Sequence, residues 1–190
     1  MNVEIPAGPL RPEPVGSPAP PARAVVDQAV AAERCEHLLR ETLDAVRPAL
    51  SWRHAPPCAG ARLPAPGSGP ADGGVQWYVG RGRDIVTIIS AARRGELPAV
   101  VEAGWRLRGW TITSVNACRD LPGVAATTSD GYRLALEFGA LGEARLTATS
   151  PGVARSEWVD GARGGPEVPF AAGGTRPLPE VCCPFWSAMV

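Results

Sequence analysis

The side chains best suited to nucleophilic or metal chemistry are five thiols and two imidazoles: Cys35, Cys58, Cys118, Cys182 and Cys183, with His37 and His54. A thiol becomes a catalytic nucleophile when a nearby base or positive field draws off its proton. Cys35 and His37 lie two apart on a helical pattern, so they leave the helix in different directions. His54 and Cys58 bracket Ala55-Pro56-Pro57, an extended stretch. Neither spacing fits a zinc module. Cys35 as a buried helix residue and His54 as a strand residue is the stronger reading. No local argument carries either histidine to Cys118. Gly67-Ser68-Gly69 sits among prolines, away from any strand-turn-helix of a nucleophile elbow. Gly80-Arg81-Gly82 lacks the third glycine of a dinucleotide loop and reads as a turn. The sequence thus nominates no catalytic, cofactor-binding or metal-binding residue, and it calls for no cofactor.

Charge narrows the partners. The 19 basic residues are all arginine and are balanced by 19 acidic ones. A net charge of zero argues against nucleic acid held by bulk positive charge. Arg81, Arg83, Arg93, Arg94, Arg106 and Arg108 are candidates for a basic patch suited to an anionic envelope lipid or protein partner. A solvated face balanced by Asp84, Glu96 and Glu102 is the favoured alternative. No apolar run approaches the roughly 18 residues of a membrane span.

The elements that position these residues are plain in the middle of the chain. Cys35, Leu38, Leu39, Thr42, Leu43 and Val46 form one stripe of an amphipathic helix over about 22–47, ended by Pro48. A second helix spans about 96–108, with Gly109 suited to the left-handed position beyond its end. Gly104, inside that helix, is expected to sit close against the sheet. Strands are expected at 50–54, 75–79, 84–90, 110–116, 124–128, 132–138 and 143–149. The Gly80–Arg83 break leaves either a hairpin or one bulged strand. Ser129-Asp130-Gly131 signals a hairpin turn. Residues 55–74, nearly all Pro, Gly, Ala and Ser, are expected to form a long loop.

The ends differ from the middle. Residues 1–22 hold seven prolines and read as an extended linker, without the basic and apolar regions of a signal peptide. A single domain is expected over 23–152. Residues 153–190 read as a Gly/Pro-rich tail with aromatic anchors. Phe185 and Trp186 are expected to dock on the domain surface, since burying such rings offsets the ordering of a short segment. The expected class is α+β: a mainly antiparallel sheet of four to five strands, with two helices on one face. Five cysteines are an odd and sparse set, so they do not fix the redox compartment.

Ile88-Ile89-Ser90-Ala91-Ala92-Arg93-Arg94-Gly95 leads through a helix into Gly109-Trp110-Thr111-Ile112-Thr113-Ser114-Val115-Asn116. Together with Thr128-Ser129-Asp130-Gly131-Tyr132-Arg133, Thr149-Ser150-Pro151 and Pro184-Phe185-Trp186-Ser187, this resembles a family of small actinobacterial lipoproteins or secreted proteins. Relatives of that kind carry a cysteine after the Ser-Pro that would pair with an earlier loop cysteine. Gly152 stands at that place here, which argues against a disulfide to Cys58. The resemblance implies a non-enzymatic binding or accessory domain outside the membrane, acting on an unidentified protein or envelope component. The alternatives are a small hydrolase or thiol enzyme using Cys118 or the terminal cysteines, and a cytoplasmic partner-binding module.

Overall fold

The structure, a computed structural model, describes residues 26–62, 76–155 and 176–189. Helix α1 (Gln28–Asp44) starts at Asp27, whose side chain accepts the N–H groups of Ala29 and Val30. That satisfies donors the first turn leaves open. All six stripe residues, Cys35 to Val46, are buried, with Cys35, Leu38 and Leu39 wholly so. Helix α2 (Glu96–Leu107) buries Leu97, Pro98, Val101 and Trp105. Gly109 follows at φ +74°, the left-handed conformation that favours glycine.

Seven strands form one open antiparallel sheet: β1 (Trp52–His54), β2 (Cys58–Arg62), β3 (Gln76–Ile85), β4 (Thr111–Asn116), β5 (Gly123–Thr127), β6 (Arg133–Phe138) and β7 (Ala144–Thr149). The order is β1-β3-β7-β6-β5-β4, with β2 also paired to β3. β1 and β2 share one edge of β3, whose other edge is taken by β7. The expected α+β class holds, and the expected four to five strands become seven. The Gly80–Arg83 break is absorbed into β3, a single ten-residue strand. The expected strand at 84–90 ends at Ile85 instead. The expected loop at 55–74 begins with β2, whose Cys-Ala-Gly-Ala-Arg sequence has no β-branched or aromatic residue to announce it. Backbone pairing to β3 forms it despite that. Residues 63–74 of that loop lie outside the described residues, as do residue 75 of the next expected strand, the whole N-terminal linker (1–22) and 156–175.

Helix α1 lies over β3 and β7, and α2 over β4 and β5. On β6, Leu134, Leu136 and Phe138 are buried, Arg133 and Glu137 exposed, and Ala135 half-buried. Helices thus cover one face, and the other is largely open, as is common for antiparallel sheets. The alternation breaks on β4, where the register shifts between Ile112 and Ser114. Such a bulge re-aims the side chains beyond it.

Gly104 is not pressed against the sheet. It lies beneath Arg108, whose Nη1–H donates to the Gly104 carbonyl at 2.9 Å. The C-terminal segment does more than rest on the surface. Trp186 is wholly buried in the core, and its Nε1–H donates to the Pro48 carbonyl at 2.8 Å. Phe185 stays 38% exposed, edge-on to Trp186 and under the Arg93 guanidinium at 4.0 Å.

Candidate functional site

The thiols are the strongest nucleophiles in the chain. Cys35 is fully buried on α1, and its thiol faces the Val79 carbonyl at 4.0 Å. Burial pushes it up to about 12, with Cys58 and Glu36 adding to the shift and Arg81 opposing it. A thiol held protonated and covered is a poor nucleophile. Cys58, half-buried on β2, is also raised by burial, while Arg81 and the Gly80 N–H pull it down. Cys118 is exposed just past β4, its backbone N–H donating to Asn116 Oδ1 at 3.0 Å. Cys182 is exposed and Cys183 half-buried, and all five thiols are free.

The imidazoles sit apart from this chemistry. His37 lies on the exposed side of α1, 3.8 Å from Glu41. His54 is exposed on β1, edge-on to Trp52 with centroids 5.3 Å apart. Among the described residues, no three His, Cys, Asp or Glu side chains converge as a metal site. No described helix is long and apolar enough to cross a membrane.

The arginines singled out in the sequence do not form one patch. Arg81 and Arg83 turn inward from β3 to share Glu36 of α1. Arg93 pairs with Glu96, Arg106 with Glu102, and Arg108 with Glu41. Arg94 is folded over Gly142, where a Cβ would meet its Nη2 at 2.4 Å. Carboxylates on α1 for Arg81, Arg83 and Arg108, and on α2 for Arg93 and Arg106, have dispersed the set.

The open face of the sheet carries a different pattern, visible only once the register is known. One row runs Thr111, Thr127, Arg133, Thr149 across β4, β5, β6 and β7. The next row along the same face runs Ala125, Ala135, Thr147. A shallow hollow of about 470 Å³ lies over Thr113, Thr127, Arg133, Ala135, Thr147 and Thr149. A neighbouring one of about 270 Å³ borders Ser114, Ala125 and Glu137. Small side chains keep this stretch low, and hydroxyls and a guanidinium supply its donors.

A third row is charged and alternates in sign: Arg53, Asp84, Arg145, Glu137, on β1, β3, β7 and β6. Arg145 Nε–H donates to Asp84 at 2.6 Å, with both side chains largely buried. The C-terminal segment caps both ends of the row, since Glu180 pairs with Arg53 and Arg176 lies 3.7 Å from Glu137. Outward-facing Glu137 and Arg145 were the available signal in the sequence. Their alignment with Arg53 and Asp84 depends on strand order, which local pattern does not encode.

On the edge beyond α2, a cleft of about 360 Å³ is lined by Ala92, Gly95, Pro98, Val115, Cys118 and Arg119, among others. It is mainly apolar and holds no histidine. In comparisons with known proteins the chain matches no family model, no curated protein and no solved structure.

Proposed function

We propose that the chain is a non-enzymatic binding or accessory domain acting outside the membrane, and that the threonine and arginine rows of the open sheet face are its binding surface. The observation that carries this reading is the alignment of Thr111, Thr127, Arg133 and Thr149 across four adjacent strands. A rigid sheet places such donors at fixed spacing, as a recognition surface requires. Arg133 at the centre selects for negative charge, and the flanking hydroxyls for a hydroxylated ligand. The ligand class is therefore an acidic, hydroxyl-rich envelope component. The compartment rests on the resemblance to actinobacterial lipoproteins and secreted proteins.

Calorimetric titration with polygalacturonate as the acidic saccharide probe tests the surface. Arg133→Ala and the double change Thr147→Val with Thr149→Val are expected to abolish binding and leave the melting temperature nearly unchanged. Binding that survives both variants overturns the proposal.

The thiol-enzyme reading has one observation in its favour, the exposed Cys118 beside the α2 cleft. It needs a base there, and neither histidine lines that cleft. Rapid, selective labelling of Cys118 by an iodoacetamide probe at pH 6 would favour it over the binding domain.

A further inference from the structure

The segment 176–189 crosses the sheet and then inserts an aromatic ring into the core. The Val86 carbonyl accepts the N–H groups of Glu180 at 2.8 Å and Val181 at 2.9 Å. Ile88 N–H donates to the Val181 carbonyl at 2.8 Å, and Ser90 N–H to the Trp186 carbonyl at 2.9 Å. Cys183 N–H donates to Ser187 Oγ at 2.9 Å, whose own hydroxyl donates to the Ile88 carbonyl at 2.7 Å. Two adjacent thiols lie in the middle of this arrangement. Cys182 is exposed, whereas Cys183 packs against the core three residues before buried Trp186.

We propose that Cys182 and Cys183 are a redox modification site, and that closing them into one disulfide releases Trp186 from the core. The oxidant is a low-molecular-weight disulfide. Cys182 gives its proton to solvent, and the thiolate attacks one sulfur of the reagent. A Cys182 mixed disulfide forms, the reagent's own S–S bond breaks, and one thiol leaves. The Cys183 thiolate then attacks the Cys182 sulfur and expels the second thiol. Two protein thiols are oxidised and one reagent disulfide is reduced to two thiols.

The geometry couples this ring to the segment's seat. Consecutive Cα atoms are about 3.8 Å apart, below the roughly 4.4–6.8 Å span of relaxed disulfides. A ring between neighbours is therefore strained, and strained disulfides are the readily reduced, regulatory kind. Closing it also brings both sulfurs to one side. Cys183 must then leave its place against the core, and the Cys183–Ser187–Ile88 hydrogen-bond chain breaks with it. Cys35 lacks the access for this role, and Cys118 has no neighbouring thiol in the sequence.

The test exposes the full chain to oxidised glutathione, then to dithiothreitol. Peptide mapping is expected to show the 182–183 peptide lighter by its two thiol hydrogens. The Trp186 indole N–H signal, assigned by its loss in Trp186→Phe, is expected to turn from protected to solvent-exchanging. Dithiothreitol should restore both. Cys183→Ser should stop at a stable glutathione adduct on Cys182, with Trp186 still protected. Glutathione retained on Cys182 of the unsubstituted chain, no reaction at 182–183, or ring closure with Trp186 still protected would each overturn the proposal.

Discussion

Trp105 on α2 donates its indole N–H to Thr42 Oγ1 on α1 at 3.0 Å, and the same hydroxyl donates to the Leu38 carbonyl at 2.9 Å. Both residues are buried, so one hydroxyl links the two helices where water cannot replace it. Thr42→Val keeps the shape and leaves the indole N–H without an acceptor. The expected cost is about 1–3 kcal/mol, the penalty of one unsatisfied buried group. Thr42→Ser retains the hydroxyl and should cost clearly less. Urea unfolding of the two variants decides it, and equal losses would count against the link.

Trp186 and Phe185 are neighbours with opposite fates. The indole is fully buried, whereas Phe185 is 38% exposed. Trp186→Ala is expected to cost about 3–5 kcal/mol, as for other large core truncations. Phe185→Ala should lose mainly its stack with Arg93 and its edge contact with Trp186, about 1 kcal/mol. If both changes destabilise alike, the segment is held by its surface contacts instead.

The one-sided sheet makes a similar contrast on a single strand. Leu136 is 2% exposed and Arg133 points to the open face. Leu136→Ala should cost about 2–5 kcal/mol, and Arg133→Ala no more than about 0.5 kcal/mol. Comparable chemical-denaturation midpoints for the two would show that both faces are packed.

What the sequence disclosed tracks how local each cause is. The α1 stripe from Cys35 to Leu43 was readable because one 3.6-residue period explains every buried position of the helix; Val46 is buried just beyond its end. The hairpin around Asp130 and Gly131 was readable because Gly131, at φ +89°, is one of few residue types for that turn. β2 was not, since Cys58 to Arg62 has no strand-forming side chains and is a strand by virtue of β3 alone. The depth of Trp186 was likewise hidden, because its acceptor is the Pro48 carbonyl, 138 positions away. Of the proposed binding face, Arg133 was readable as an outward residue. The row it shares with Thr111, Thr127 and Thr149 exists only through three strand registers.

Gly104 is a helix-interior glycine with room for a methyl group. A Cβ built there meets only Arg108 Nη1, at 3.4 Å, the far end of a flexible side chain. Gly104→Ala is therefore expected to stabilise by about 0.5–1 kcal/mol, through helix propensity and a less floppy unfolded chain. A lower melting temperature would mean that the Arg108 contacts with Gly104 and Glu41 tolerate no adjustment.

Cys35 gives the fold a dependence on alkaline pH. Burial raises the thiol from the ordinary 9.0 to about 12. Its folded value lies above its unfolded value, so its contribution is fully present below pH 9. Above that, the unfolded chain releases the proton while the folded one retains it. Stability then falls as pH rises from 9 towards 12, by at most about 1.4 kcal/mol per pH unit for a single group. Cys35→Ala removes that proton and its pH dependence, while Tyr132, raised chiefly by burial and further by Cys35, keeps the burial part of its shift in both proteins. Urea unfolding at pH 8, 9 and 10 is therefore expected to show the unsubstituted chain losing stability faster than the variant above pH 9. The gap at pH 8 reflects packing alone, and its shrinkage by pH 10 reflects the thiol. Parallel stability curves across that range would mean that Cys35 ionises as readily in the fold as out of it. Iodoacetamide labelling checks the same point independently: at pH 8 the native chain should label at the exposed Cys118 and Cys182, and Cys35 should label only after unfolding.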